Sequence, residues 1–525
     1  MRYTGGVTGG SWITELTSDL GAGRFDGAWL VQNFENLNPS NTFWSKPYNL
    51  YAKIDTEARR YLGFERWWGG HVNLNAEEIQ FIVDELFIGN NLAAGRIQTS
   101  DGVTIDLRNI RSPIVVFCSK GDNIAPPRQA LDWILDLYDD VEQMRCYGQT
   151  IVYTIHESIG HLGIFVSGGV ARKEHGEFSS NIDMIEILPP GLYEAVFDAK
   201  TADTSNPDLV TGDWVMRCEA RTLDDIRALG GYDPADERRF ATAARVSEIN
   251  LALYRTFAQP IVRALTPKPI ADLTHEIHPL RLQYEWLSDE NPQADLLAKM
   301  AEQARQDRKP ARDDNPFTAF ERMMSGHIVA GLDMWRDMRD TAAEWTFLFT
   351  YGNPWLQAMT GVDPKDARPK RRAGENPLQR QLIAERIAEL KSRIKDGGLR
   401  EATVRAMLYI SGALPGVDER SLAALRRTGI AGEARPRMTL SEFKAMAREQ
   451  YYMLLIDQDA ALAAIPGMLP DDSDRRRNAL ATMREILSVS GQIPEEAMKR
   501  FNQIGALFGV EGKVLPGPSP RRSKA

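Results

Sequence analysis

Two short apolar runs on either side of an amphipathic segment constrain this chain more than any other feature. "SPIVVFC" at residues 112–118 and "QTIVYTI" at 149–155 are β-branched, free of charge and too short for helices, so each reads as a strand buried on both faces. Between them "RQALDWILDLYDD" places Leu131, Ile134, Leu135 and Tyr138 at helical spacing. Strand, helix and strand in this order make a right-handed βαβ unit with parallel strands. The loops that follow the two strands therefore leave the carboxyl edge of one sheet, where open α/β sheets place their sites.

Those loops carry the candidate chemistry. Asp122 lies in "SKGDNIAPP" after the first strand, and His161 lies in "HESIGHLG" after the second. A carboxylate that accepts the imidazole Nδ1–H fixes the tautomer and stabilises the imidazolium, which frees the other ring nitrogen to take a proton from a nucleophile. For a lone aspartate, capping the next helix is the plainer account, and for a lone histidine, satisfaction by backbone. The placement of the pair after adjacent strands favours the functional account.

With 525 residues the chain is too long for one compact domain. Its 43% hydrophobic and 26% charged residues suit an ordinary globular protein, and a net charge of −9 speaks against a nucleic-acid partner, which needs a basic face. Three cysteines, Cys118, Cys146 and Cys218, make no disulfide framework and no Cys-x-x-Cys pair for zinc, so a reducing cytoplasm is expected. No window approaches the roughly 20 apolar residues of a membrane span.

Six regions are expected: a lid-like helical and loop region at 1–96, an α/β core portion at 97–200 and a mainly helical accessory region at 201–362. A linker at 363–377, a helical domain at 378–512 and a disordered tail at 513–525 follow. Within the first, "NAEEIQFIVDELFIGNNL" predicts a helix capped by Asn75 with Ile79, Ile82, Val83, Leu86 and Phe87 on one face. Asp101–Gly102 predicts a hairpin turn, and "GLYEAVFDAK" and "DWVMRCEA" two further strands. Trp67–Trp68 and the Met- and Trp-rich stretch 320–352 are expected in the core. If the latter's apolar face were exposed, it would suit a lipid or polymer surface.

On these residues the chain resembles known proteins. "DLRNIRSPIVVFCSKGDNIAPP" is similar to the α/β-hydrolase segment that carries the acid of a catalytic triad, and "GHLGIF" to the segment that carries its histidine. "DNIAP" at 122–126 and "GHLGI" at 160–164 resemble the corresponding motifs of poly(3-hydroxyalkanoate) synthases, a likeness covering about residues 25–170. "FDGAWLVQNFENLNP", "ERWWGGHV" and "RSPIVVFCS" resemble the DUF3141 family over much of the chain. The resemblance implies the carboxyl-terminal portion of an α/β-hydrolase fold, a parallel sheet with lid helices, followed by mostly helical accessory regions. It implies acyl transfer or ester hydrolysis on a hydroxyacyl thioester or polyester, with Asp122 as acid and His161 as base. No cofactor is expected.

The nucleophile departs from that pattern. Those families carry Cys or Ser on a Gly-x-Cys/Ser-x-Gly elbow ahead of the acid. Cys118, Cys146, Cys218 and Ser11 lack the flanking glycines or the preceding strand. Ser158, in "HESIG", follows a strand and precedes Gly160, but His156 stands where the turn wants glycine, which leaves Ser158 a weak candidate. The Gly-rich start without a strand gives the expectation that the chain begins partway through a domain and is inactive alone. The alternative is a non-catalytic hydrolase-like scaffold whose helices bind a polymer granule, a membrane surface or a protein. His156 and His161 miss the HExxH zinc spacing by one residue, and His275 and His278 show no third ligand, so no metal site is expected.

Overall fold

The computed structural model describes residues 7–230, 233–286, 288–309, 311–312, 314–363, 374, 377–428 and 438–510. Most of the expected linker at 363–377 and all of the expected tail at 513–525 lie outside the described residues. The chain divides into two units, each built from two segments. One comprises residues 1–105 and 232–371, the other 106–231 and 372–525.

The second unit holds a five-stranded mixed sheet, and with its helices it is an α/β arrangement. Among the described residues the strands number seven. β1 (Arg24–Phe25) and β2 (Leu74–Asn75) form a small antiparallel pair in the first unit. β3 (Ile114–Ser119), β4 (Thr150–His156), β5 (Gly191–Ala199), β6 (Trp214–Arg221) and β7 (Val417–Asp418) lie side by side in that order. β3, β4 and β5 run parallel, while β6 and β7 join antiparallel. The connection from β3 to β4 includes the helix Pro127–Leu137, which starts on a proline whose fixed φ and missing N–H suit a first turn. It buries Leu131, Ile134, Leu135 and Leu137, with Tyr138 just beyond, against Cys118, Ile151 and Tyr153.

The expectation of two doubly buried strands holds for β4 only. Residues Thr150–Thr154 are buried, whereas β3 is the edge strand and Val115 on it is 41% exposed. An uninterrupted apolar run shows that a strand can be covered on both faces. It does not show that its place in the sheet provides the cover.

A helical layer completes the second unit. Leu399–Ser411, Leu440–Ile456, Gln458–Met468, Ser473–Leu487 and Glu495–Leu507 enclose Ala406, Ile410, Ile465, Met483, Ile504 and Phe508. Its innermost polar residue is Arg405, wholly buried, whose guanidinium donates to Gln450 Oε1 at 2.7 Å and to the carbonyls of Ile394 and Ala461 at 2.8 and 2.9 Å.

The first unit is nearly all helix. Its Asp101–Gly102 turn forms as expected, with Gly102 at φ +82° and Thr99 N–H donating to Val103 O at 2.9 Å. The helix after Asn75 also forms, and Glu78 accepts from the Asn75 N–H at 3.1 Å. It is α-helical only over Ala76–Phe81 and continues with wider π-helical turns over Ile82–Ile88. The extra residue per turn rotates Ile88 inward beside Ile79 and Val83 and turns the expected core residue Phe87 out to solvent.

Two further core expectations fail. Trp67 is exposed at the end of the helix Ile54–Trp68, edge-on to Phe64 and tilted against Trp68. The stretch 320–352 belongs to one 36-residue helix, Pro316–Tyr351, of which only Ser325, Phe347 and Tyr351 are buried. Met334, Trp335, Met338, Trp345 and Phe349 lie exposed along it. Both stretches have helical apolar spacing, and spacing identifies a face without identifying what covers it. No helix among the described residues is long and apolar enough to cross a membrane.

Candidate active site

β3 and β4 pair in register to their last residues, Ser119 opposite His156, so the two following loops leave the sheet at one level. The first loop turns sharply at Asp122 and ends at the helix Pro127–Leu137. Asp122 is buried, and its Oδ1 accepts from the N–H groups of Ile124 at 2.8 Å and Ala125 at 2.9 Å. Its Oδ2 accepts from His161 Nδ1 at 2.8 Å. The aspartate thus caps its own loop and orients the histidine with different oxygens.

Burial of the Asp122 carboxyl favours its neutral form. The N–H of Ala125, the His161 ring and the N–H of Ile124 outweigh that and hold its pKa below the usual carboxylate range. The carboxylate is therefore charged at neutral pH. His161 keeps 32% of its side chain exposed and meets Phe165 edge-on, with ring centroids 6.1 Å apart. Its Nδ1 is committed to Asp122. Among the described residues no hydroxyl or thiol bonds its Nε2, which leaves that nitrogen available to an incoming proton donor.

The other sequence candidates lie apart from this pair. Ser158 is exposed, and its backbone N–H donates to His156 Nδ1 at 3.1 Å, with no bond from its hydroxyl to His161. Cys118 faces the core under β3, donates to the Thr154 carbonyl at 3.4 Å, and has its thiol pushed up to about 12 by burial. Cys218 on β6 is likewise pushed up to about 12 by burial. Cys146 is exposed at the end of its helix, with burial of part of the side chain raising its pKa. Ser11 is buried in the first unit, where its N–H donates to Ser247 Oγ at 2.9 Å. None is poised as a thiolate or alkoxide nucleophile.

His275 and His278 sit beside Asp26, which Arg281 pairs with through both nitrogens of its fork. Among the described residues no three His, Cys, Asp or Glu side chains are arranged to hold a metal ion. Clefts between Asn41 and Phe64, between Ser112 and Tyr452, and along Ala330–Ala342 include neither Asp122 nor His161.

Two residues of the site escaped the sequence reading. Ser119 Oγ donates to the Ile159 carbonyl at 2.6 Å, and His156 Nδ1 accepts the Ile159 N–H at 3.1 Å. The available signal was a polar residue ending each apolar run, Ser119 after "IVVFC" and His156 after "IVYTI".

The profile of a family described as a protein of unknown function, DUF3141, matches residues 1–394. A Rhizobium meliloti protein named "Uncharacterized protein in ackA 5'region" is 59% identical over 514 residues, which are 98% of this chain and 70% of that one. The Thiocystis violacea "Poly(3-hydroxyalkanoate) polymerase subunit PhaC" is 24% identical over 170 residues, 31% of this chain and 44% of the subunit. No solved structure matches.

Proposed function

The chain belongs to the DUF3141 family, and from that premise we propose that Asp122 and His161 are the acid and base of an acyl-transfer or ester-hydrolysis site on the carboxyl-terminal portion of an α/β-hydrolase fold. The observation that carries the reading is the 2.8 Å bond between His161 Nδ1 and a buried, charged Asp122 at the carboxyl edge of parallel strands. In the proposed step His161 Nε2 removes the proton of an attacking hydroxyl or thiol, whose oxygen or sulfur forms a bond to the acyl carbonyl carbon. Asp122 stabilises the imidazolium. When the tetrahedral intermediate collapses, the bond to the leaving thiolate or alkoxide breaks, and His161 returns the proton to it. The distant similarity to a poly(3-hydroxyalkanoate) polymerase subunit supports a hydroxyacyl thioester or polyester as substrate. The attacking group is not among the residues bonded to His161, so water or a separate hydroxyl or thiol fills that role.

The test is cleavage of nitrophenyl butyrate and of a 3-hydroxybutyryl thioester, with and without a small added thiol. Turnover lost in His161→Ala supports the reading, and turnover identical in the two proteins overturns it.

A second reading, a hydrolase-like scaffold that lies on a polymer granule, is favoured by the exposed apolar face of Pro316–Tyr351. Binding to polyester granules that is unaffected by His161→Ala, without turnover in either protein, supports it.

A further inference from the structure

The loop that presents His161 is held at one residue. Ile159, two residues before the histidine, has its N–H accepted by His156 Nδ1 at 3.1 Å, and its carbonyl accepts from Ser119 Oγ at 2.6 Å. His156 and Ser119 are the last paired residues of β4 and β3, so each strand supplies one jaw. Both jaws have second contacts. His156 Nδ1 also accepts the Ser158 N–H at 3.1 Å, and Ser119 Oγ accepts the Gly121 N–H at 3.1 Å, one residue before Asp122. The His156 carbonyl accepts the Lys120 N–H at 2.9 Å.

Gly121 passes so close to the Ser158 carbonyl that a Cβ there would stand 2.3 Å from its oxygen. The acid loop and the base loop are therefore interlocked over Ser119–Asp122 and His156–Ile159. A neutral imidazole accepts at one nitrogen only. With two N–H groups on Nδ1, the proton of His156 must sit on Nε2.

We propose that His156 and Ser119 are positioning residues that clamp the backbone N–H and carbonyl of Ile159 and so fix the His161 ring on Asp122. The assignment rests on the reading of Asp122 and His161 as an acid–base pair. It gives a function to the histidine that stands five residues before the base, and a reason for the serine that ends β3. Neither residue touches the reacting atoms. Both act by setting where His161 Nδ1 meets the carboxylate. Asparagine keeps the clamp because its side-chain carbonyl oxygen occupies nearly the position of Nδ1 and accepts the same N–H groups. Alanine removes it.

The test reads the dyad directly. In protein carrying nitrogen-labelled histidine, seven rings contribute signals, and the Nδ1–H resonance of His161 is the one absent from His161→Ala. In His156→Ala that resonance is expected to vanish, or to exchange with solvent at least about tenfold faster. In His156→Asn it is expected to persist at the wild-type rate. Ser119→Ala, a smaller change, is expected to accelerate the exchange without unfolding the chain, as checked by circular dichroism, and keeps the test decisive if His156→Ala does not fold. Ester turnover should fall roughly 10- to 100-fold in His156→Ala and recover in His156→Asn. Unchanged His161 exchange in both His156→Ala and Ser119→Ala, or failure of His156→Asn to restore it, overturns the clamp. Absent turnover in the wild-type protein alongside the predicted changes in exchange overturns the acyl chemistry and leaves the clamp standing.

Discussion

Asp122 and His161 are 39 residues apart in the chain and 2.8 Å apart in space, with the carboxylate buried and the imidazole partly open to solvent. That asymmetry suits an acid–base pair. The charged partner is fixed by three donors, and the exchanging partner keeps one nitrogen accessible. Asp122→Asn tests it. The amide preserves the size of the side chain, but its oxygen is no longer charged and its NH2 favours the opposite imidazole tautomer. Any His161-dependent turnover should fall by about 10⁴-fold in kcat, measured with a nitrophenyl ester, with far-UV circular dichroism unchanged.

The same carboxylate links stability to pH. Its folded pKa lies below the unfolded value because the N–H groups and the His161 ring outweigh the burial that raises it. The stabilisation is therefore complete above the unfolded value of about 4 and is lost as pH falls through the folded one. Urea unfolding of wild type and Asp122→Ala should show a constant gap between pH 7 and pH 5 that narrows toward pH 3. A gap that widens on acidification would show that the carboxyl is held neutral.

How much of this was legible depends on range. β3, β4 and the helix between them follow from local apolar spacing, and the meeting of Asp122 with His161 follows from strand adjacency. β7 did not follow, because the two residues Val417–Asp418 have no period to read and pair with β6 some 200 residues earlier. Arg405 reads as a surface residue in "LREATVRAMLYIS", yet it is the most deeply buried charge of the helical layer. His156 stands five residues before the candidate base, and in sequence it offers only a wrong residue for a glycine turn and a missed HExxH spacing. For β7 and Arg405 the deciding partner comes from a distant segment, and local pattern carries no information about it. For His156 the partners are near, the N–H groups of Ser158 and Ile159, but only the path of the loop turns them onto the ring.

Arg405 makes a large energetic prediction. It donates to two buried carbonyls and to Gln450, and its Nη2 lies 3.1 Å from Met453 Sδ. Arg405→Ala removes every donor at once, leaving acceptors stranded away from water and a cavity among Ile394, Gln450 and Met453. A loss of about 3 kcal/mol or more in urea unfolding is expected. A loss below about 1 kcal/mol would mean that water reaches those carbonyls.

Glu177 works in the opposite sense to Asp122. Burial, and then the nearby Glu419 charge, push its pKa up to about 7. Asn181 Nδ2 donates to Glu177 Oε2 at 3.4 Å, its side chain also bonds Glu419, and Glu419 Oε1 is buried without a partner. A raised folded pKa means stability that is full below the unfolded value and is lost as pH rises through about 7. Glu177→Gln removes the charge and offers an NH2 to Glu419. It should raise the unfolding free energy measured in urea at pH 8, by on the order of 2 kcal/mol, and change little at pH 5. Equal effects at both values would contradict the assignment.

The apolar face of Pro316–Tyr351 separates the two functional readings. The helix is about 54 Å long, and Trp345 and Phe349 are 68% and 80% exposed on it. Side chains so exposed contribute little to folding, so Trp345→Glu with Phe349→Glu should shift stability by no more than about 0.5 kcal/mol per site. If the face lies on a polymer surface, the double variant should sediment with polyester granules several-fold less than wild type at equal protein concentration, while ester turnover is unaffected. Wild-type sedimentation by the double variant would show that the Trp345–Phe349 end of this face does not make the contact with the granule.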